Sequence, residues 1–202
     1  MVDLSDHPSA GAPLTETPQM SPPSVTPATP VGQKDVVASL AARVVGLSTG
    51  DRANLRRMTI DSPARTAGTV SGLLISAGLS NVGKMSDIAF RRWSIVAHCA
   101  ALLSGTGRNN AHAPGWQNNL GRRLEAVGYS ENRLMRLTSA TGTALEGQVV
   151  RAVRFIAQGG GGPVDLRTVR DLLNPEKAES ARMAIARSYY SANDSTAPSA
   201  AK

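Results

Sequence analysis

The sequence predicts an all-α protein of two small helical bundles, and three observations carry that expectation. Apolar residues recur at three- and four-residue intervals through most of the chain after residue 34. No segment shows sustained two-residue alternation with β-branched enrichment. Helix-starting Asp, Ser and Pro and helix-ending Gly fall between the periodic stretches. Aromatics are only 3% of the 202 residues, so the core must be built from Leu, Val, Ile, Ala and Met.

Residues 1–33 are dense in Pro, Ser, Thr and Ala with no helical period, and cannot bury enough apolar surface to offset the entropy of ordering. A disordered tail is expected there. Val36, Val37, Leu40, Val44 and Leu47 then form a first helix, stopping in Ser48-Thr49-Gly50. Asp51 is positioned to cap a short helix, Arg52 to Met58, with Leu55 and Met58 as its buried side. Ser62-Pro63 opens a segment running to Ser80, weakened as a helix by Gly68, Gly72 and Gly78. Ser86 to Leu103 is a stronger helix, with Asp87 near its positive end and Ile88, Trp93, Ile95, Val96, Ala100 and Leu103 on a broad apolar face. Residues 105–117 are loop, the expected seam between an N-terminal subdomain (34–107) and a C-terminal one (108–191).

Further helices are predicted near Asn118–Val127, Ser130–Leu137 (capped by Ser130), Leu145–Gln158 and from Asp165 through Leu173. The run Gly159 to Gly162 with Pro163 separates the last two. Pro175 opens the final helix, ending near Tyr190, with Tyr189 and Tyr190 locking it onto the bundle. Residues 192–202 are expected to fray.

Charge is distributed unevenly. Asp3, Asp6 and Glu16 give the tail −3 with no Lys or Arg, which leaves +10 on the remainder of a chain of net +7. Lys34, Lys84, Lys177 and Lys202 are the only lysines among 22 basic residues; the rest are arginines. Arginine's planar fork suits bidentate phosphate contact. Arg122 and Arg123 are adjacent, and Arg133/Arg136, Arg151/Arg154 and Arg167/Arg170 are each three apart, so each spaced pair shares a helix face. Along 145–158, Leu145, Val149, Val153 and Ile156 form one stripe while Arg151 and Arg154 fall opposite. Such a helix offers a core one face and phosphates the other. For any single pair a merely solvated arginine face explains the pattern as well; the repetition through one segment points to a polyanion.

Catalytic chemistry has no visible carrier. His98 and Cys99 are adjacent, so on a helix they diverge by about 100° and cannot chelate one ion together. His112 has neither carboxylate nor histidine near it in sequence. No HExxH, CxxC or Ser/His/Asp spacing occurs. Gly159 to Gly162 lacks the Lys-Ser/Thr of a phosphate loop and reads as a linker. Trp93 reads as core. Trp116 in the loop has two readings, a platform for a base or an anchor for the seam. A single cysteine fits a reducing interior. The absence of an apolar run near 18 residues, or of a secretory signal, fits a cytoplasmic protein without membrane contact.

Several stretches, in order, resemble one family. LSTGDRANLRRM (47–58), FRRWSIVAHCAALLSG (90–105), NLGRRLEAVGYSENRLMRL (119–137), VDLRTVRDLL (164–173) and ARMAIARSYY (181–190) are similar to segments of the small subunit of type I-E CRISPR Cascade, the CasB family. The likeness spans roughly 34–191. It implies two helical bundles and a non-catalytic subunit without cofactor or metal. The implied partners are other Cascade subunits with guide RNA, target DNA (its displaced strand above all), and a second copy placed head-to-tail. Carried over position by position, it implies nucleic-acid contacts at Arg56 and Arg57, at Arg91 or Arg92, and at Arg122, Arg133, Arg151 and Arg154. Where the family carries a basic residue after the 164–173 segment, this chain has Asn174-Pro175-Glu176, so no contact is carried over there. A free-standing basic helical regulator is the alternative reading, opposed by the spread of arginines over many helices rather than one recognition helix.

Overall fold

The structure, a computed structural model, describes residues 35–60, 63–105, 110–160 and 162–196. The expected tail, residues 1–33, lies outside them, as do residues 197–202. Among the described residues there are nine α-helices and no strand, only an isolated bridge between His112 and Val164. None of these helices is long and apolar enough to cross a membrane.

Local chemistry sets the helix ends. α1 (Val36–Val45) is capped by the Asp35 carboxylate, which accepts from the Val37 and Ala38 amides at 3.0 and 3.2 Å. Burial raises the pKa of that carboxyl. The Ala38 amide, the Arg167 guanidinium and the Val37 amide outweigh burial and hold it below its ordinary value. α2 (Thr49–Arg56) starts earlier than predicted, because Ser48 rather than Asp51 is the cap. Ser48 Oγ accepts from the Asp51 amide at 3.1 Å and donates to the Asp51 carboxylate at 2.7 Å, a reciprocal arrangement that needs one helical turn between the two residues. α3 (Ala67–Ser76) follows a 3-10 turn at Pro63–Thr66 and keeps Gly68 and Gly72 inside it; Gly78, at φ 97°, ends it.

The long helix α4 (Asp87–Leu103) starts where expected, with Ser86 as its cap rather than its first residue, and it is the centre of the fold. Every residue from Ser94 to Ala101 is buried, together with Leu103. A helix apolar all round is a core helix, and α4 has neighbours on most sides. α1 and α2 lie against it from the N-terminal half, α7 (Gly142–Gln158) and α8 (Leu166–Leu173) from the C-terminal half. The predicted apolar face overreaches at its start. Ile88 is 61% exposed and Trp93 only partly buried, since the packed stretch of α4 begins after its first turns.

α4 and α7 run parallel. Arg91 of α4 bonds Glu146 of α7 at one end, Nε to Oε2 at 2.7 Å. At the other end Leu102 and Leu103 share a cleft with Arg154, Ala157 and Gln158. His98 and Cys99 lie inside the packed stretch. His98 Nδ1 is 2.6 Å from the Leu55 carbonyl, so it carries the proton and ties α4 to α2. Burial lowers the His98 pKa, opposed by the Leu55 bond and aided by the charge of Arg154; the same burial pushes the Cys99 thiol up to about 12. Cys99 is thus an inert core residue.

The most extensive contact between two helices is that of α5 (Leu120–Ala126) with α9 (Ala178–Thr196), and it is a close one. Gly121 makes it possible: a Cβ there would run into the Ile185 carbonyl and the Ser188 hydroxyl. Around it Ser188 Oγ donates to Asn119 Oδ1 at 2.5 Å, and the Tyr189 hydroxyl to the Tyr129 carbonyl at 2.5 Å. Tyr189 therefore locks α9 down, whereas Tyr190 is 44% exposed and only meets Tyr189 edge-on. α9 also begins later than Pro175 and runs on to Thr196, past its predicted end. α6 (Glu131–Ser139) starts after Ser130 as expected, but the Ser130 side chain makes no capping bond.

The glycines and His98 set two expectations. Gly121→Ala destabilises by about 1–3 kcal/mol or more because the neighbouring atom is backbone. Gly72→Ala, mid-helix with nothing within 4 Å of the added methyl, stabilises by about 0.5–1 kcal/mol. Urea unfolding midpoints of the two variants should shift in opposite directions. At His98 the folded pKa is lowered from 6.5, so below that pH the unfolded chain binds the extra proton and stability falls towards the folded value. His98→Asn, which keeps a donor for Leu55 but puts a smaller side chain in a fully buried site, should lower stability at neutral pH and flatten that part of a stability-versus-pH curve.

Candidate nucleic-acid interface

Adjacent residues on a helix diverge by about 100°, and this separates Arg56 from Arg57 at the end of α2. Arg56 is exposed and lines a cleft of about 440 Å³ with Arg154 and the C-terminal ends of α4 and α7. Arg57 turns to the other side, donating to Asn54 Oδ1 at 3.3 Å and lining a separate hollow with Arg65. The parallel pairing of α4 and α7 makes the first cleft, because it brings both helix ends to the same level as Arg56.

One turn back from Arg154 on α7, Arg151 is exposed on the same outer face. Its charge reaches Tyr129: burial raises that phenol's pKa, and Arg133 and Arg151 pull it back. Arg133 of α6 lies over two rings, 5.3 Å from the Phe155 centroid and 6.0 Å from that of Tyr129, which themselves pack edge-to-face. Such cation–π contact orients the guanidinium while leaving its hydrogen-bond donors to the outside. Arg56, Arg154, Arg151 and Arg133 are all exposed, and among the described residues no carboxylate pairs with any of them.

The other sequence-selected arginines sit elsewhere. Arg91 is engaged by Glu146, whose side chain is only 10% exposed, so it serves the α4–α7 junction. Arg92 points away from that cleft: it lines one groove between α4 and α8 with Arg170, and a second with Arg182 where the start of α7 meets the end of α8 and the start of α9. Arg122 is half-buried on α5 beside Arg123. Arg123 donates to Asn118 Oδ1, and its pKa is lowered by burial and then by Arg122.

Several contacts join residues too distant in the chain for a sequence pattern to reveal. Arg167 bonds Asp35 at 2.8 Å, fastening the start of α8 to the cap of α1. Arg182 bonds the Ala140 carbonyl at 2.9 Å, closing the end of α6. His112, expected to have no carboxylate near it, has Asp165 Oδ1 at 3.7 Å, and its Nδ1 accepts from the Leu166 amide at 3.0 Å. The fold supplies that carboxylate by laying the 110–115 loop along the start of α8.

A family model described as CRISPR-associated protein Cse2 matches residues 51–190. The chain is similar to the crystal structure of CasB from Thermobifida fusca at 16% identity, with a TM-score of 0.47 over 78% of this chain and 99% of that one. No curated protein matches. With the family match covering well over half of the sequence, the chain belongs to the CRISPR-associated Cse2 family, the small subunit of type I-E Cascade.

Proposed function

We propose that this protein is the non-catalytic small subunit of an RNA-guided surveillance complex, and that it stabilises target DNA by holding the displaced strand of the R-loop on a basic surface in antiviral defence. Its partners on this reading are the other Cascade subunits with their guide RNA, the target DNA, and a second copy of itself head-to-tail, all in the cytoplasm. Its two halves, 34–107 and 108–191, act as the two bundles of the family.

The observation that carries the reading is the grouping of Arg56, Arg154, Arg151 and Arg133 on the outside of α2, α6 and α7, exposed and, among the described residues, without carboxylate partners. Unpaired guanidinium groups along one surface attract a phosphate chain whatever its sequence. R-loop formation exchanges one duplex for another of similar stability. Modest favourable contact with the strand that is set free therefore shifts the balance toward the open state. No bond need be made or broken by the subunit.

Arg151→Glu with Arg154→Glu should weaken retention of target DNA by the assembled complex while leaving the helical circular-dichroism signal and the thermal midpoint of the subunit close to wild type. Across a salt series the slope of log K should become shallower by about 0.7 for each phosphate that is no longer neutralised. Retention that is unchanged at every salt concentration, in a complex that incorporates the folded variant, would remove these residues from the interface.

A further inference from the structure

Trp116 is one of two tryptophans in the chain. Trp93 packs against the core, but Trp116 is 47% exposed. It stands in a single 3-10 turn, Trp116–Asn118, directly before α5. A ring of this size left outside presents on the order of 100 Å² of apolar surface to water.

The exposure is held in place by the backbone around it. Gly115, at φ 109°, turns the chain outward, and its N–H donates to Asp165 Oδ2 at 3.3 Å. The Asn118 side chain donates to the Pro114 carbonyl at 3.2 Å, and the Asn118 amide to the Gly115 carbonyl at 3.0 Å. The Asn119 amide reaches the Trp116 carbonyl at 3.1 Å, while the Asp165 amide reaches Asn118 O at 2.6 Å. The turn is thereby tied to the start of α8 on both sides of the indole. Because these bonds hold the backbone that carries the indole, contact with a flat partner costs side-chain freedom but little backbone freedom.

The adjoining charge is positive. Arg123 donates to Asn118 Oδ1 in the same turn, and Arg122 lies beside it. Among the described residues no carboxylate pairs with either. Asp165, the acid bonded to this turn, already accepts from the Gly115 and Arg167 amides. An exposed indole beside two uncompensated guanidinium groups suits a ligand that carries both π-faces and phosphates.

We propose that Trp116 is a stacking platform for an unpaired base of a single-stranded nucleic acid whose phosphates lie against Arg122 and Arg123. The proposal rests on the nucleic-acid reading above and adds to it a base contact that charge alone does not supply. Stacking is tolerant of sequence, since every base has a face, so it keeps the interaction non-specific while favouring unpaired strands over duplex.

The test compares an oligothymidine strand with a strand of the same length made of abasic sites, which keeps the phosphates and removes the bases. Binding of each to the full chain and to the assembled complex is measured with wild type, Trp116→Ala and Trp116→Phe. Wild type should prefer the base-bearing strand by about tenfold. Trp116→Ala should bring that ratio close to one without altering affinity for the abasic strand, and Trp116→Phe should retain part of it. A ratio unaffected by Trp116→Ala overturns the proposal and leaves the electrostatic reading standing. Loss of assembly by Trp116→Ala with an unchanged ratio also overturns it, assigning the indole to a protein neighbour. If wild type, alone and in the complex, binds neither strand, the proposal and the reading beneath it both fall.

Discussion

The parallel pairing of α4 with α7, fastened by Arg91 and Glu146, is the constraint on which the rest of the structure depends. A carboxylate with only 10% of its side chain exposed is costly unless a cation meets it, and Arg91 Nε does so at 2.7 Å. Such a pair is a weak source of net stability, but it does specify register. Sliding α7 by one turn along α4 would part the two groups and strand the carboxylate. With the register fixed at this end, the far ends of the two helices arrive together, and α2, tied to α4 through His98 and Leu55, arrives with them. Arg56 and Arg154 meet across one cleft as a consequence.

The same constraint divides the arginines by role. Arg91, Arg167 and Arg182 are engaged by Glu146, by Asp35, and by Glu179 with the Ala140 carbonyl, and they hold elements together. Arg133, Arg151 and Arg154 stand outside the packed faces of α6 and α7, where aromatic rings and helix geometry orient them. An excess of positive charge on a small fold produces self-repulsion, which these outward groups tolerate by facing water rather than a low-dielectric interior. The arginines thus fall into two sets, one engaged within the fold and one on its surface.

Much of the helical layout is legible in the sequence because it follows from local rules. The stripe of Leu145, Val149, Val153 and Ile156 is buried as its spacing predicts, with Arg151 and Arg154 on the exposed side. Ser86 and Asp165 cap the helices they precede. The misses have one physical origin, a competitor that local pattern does not register. Asp51 has the position of a cap, but Ser48, one turn earlier, takes the role. Ile88 matches the apolar period of α4 but lies before its packed stretch begins. Gly121 carries no local signal, since its importance comes from the Ile185 carbonyl of a helix far along the chain. Arg91 reads with Arg92 as a surface cation, and nothing near it in sequence points to Glu146.

Photocrosslinking the assembled complex to target DNA that carries 4-thiothymidine along the displaced strand is the most direct test of a strand held on this face. Peptides containing Arg151 to Phe155 of α7 and the end of α2 around Arg56 should carry the crosslinks. Crosslinks confined to the grooves beside Arg92, or absent from this chain while neighbouring subunits are labelled, would contradict that placement.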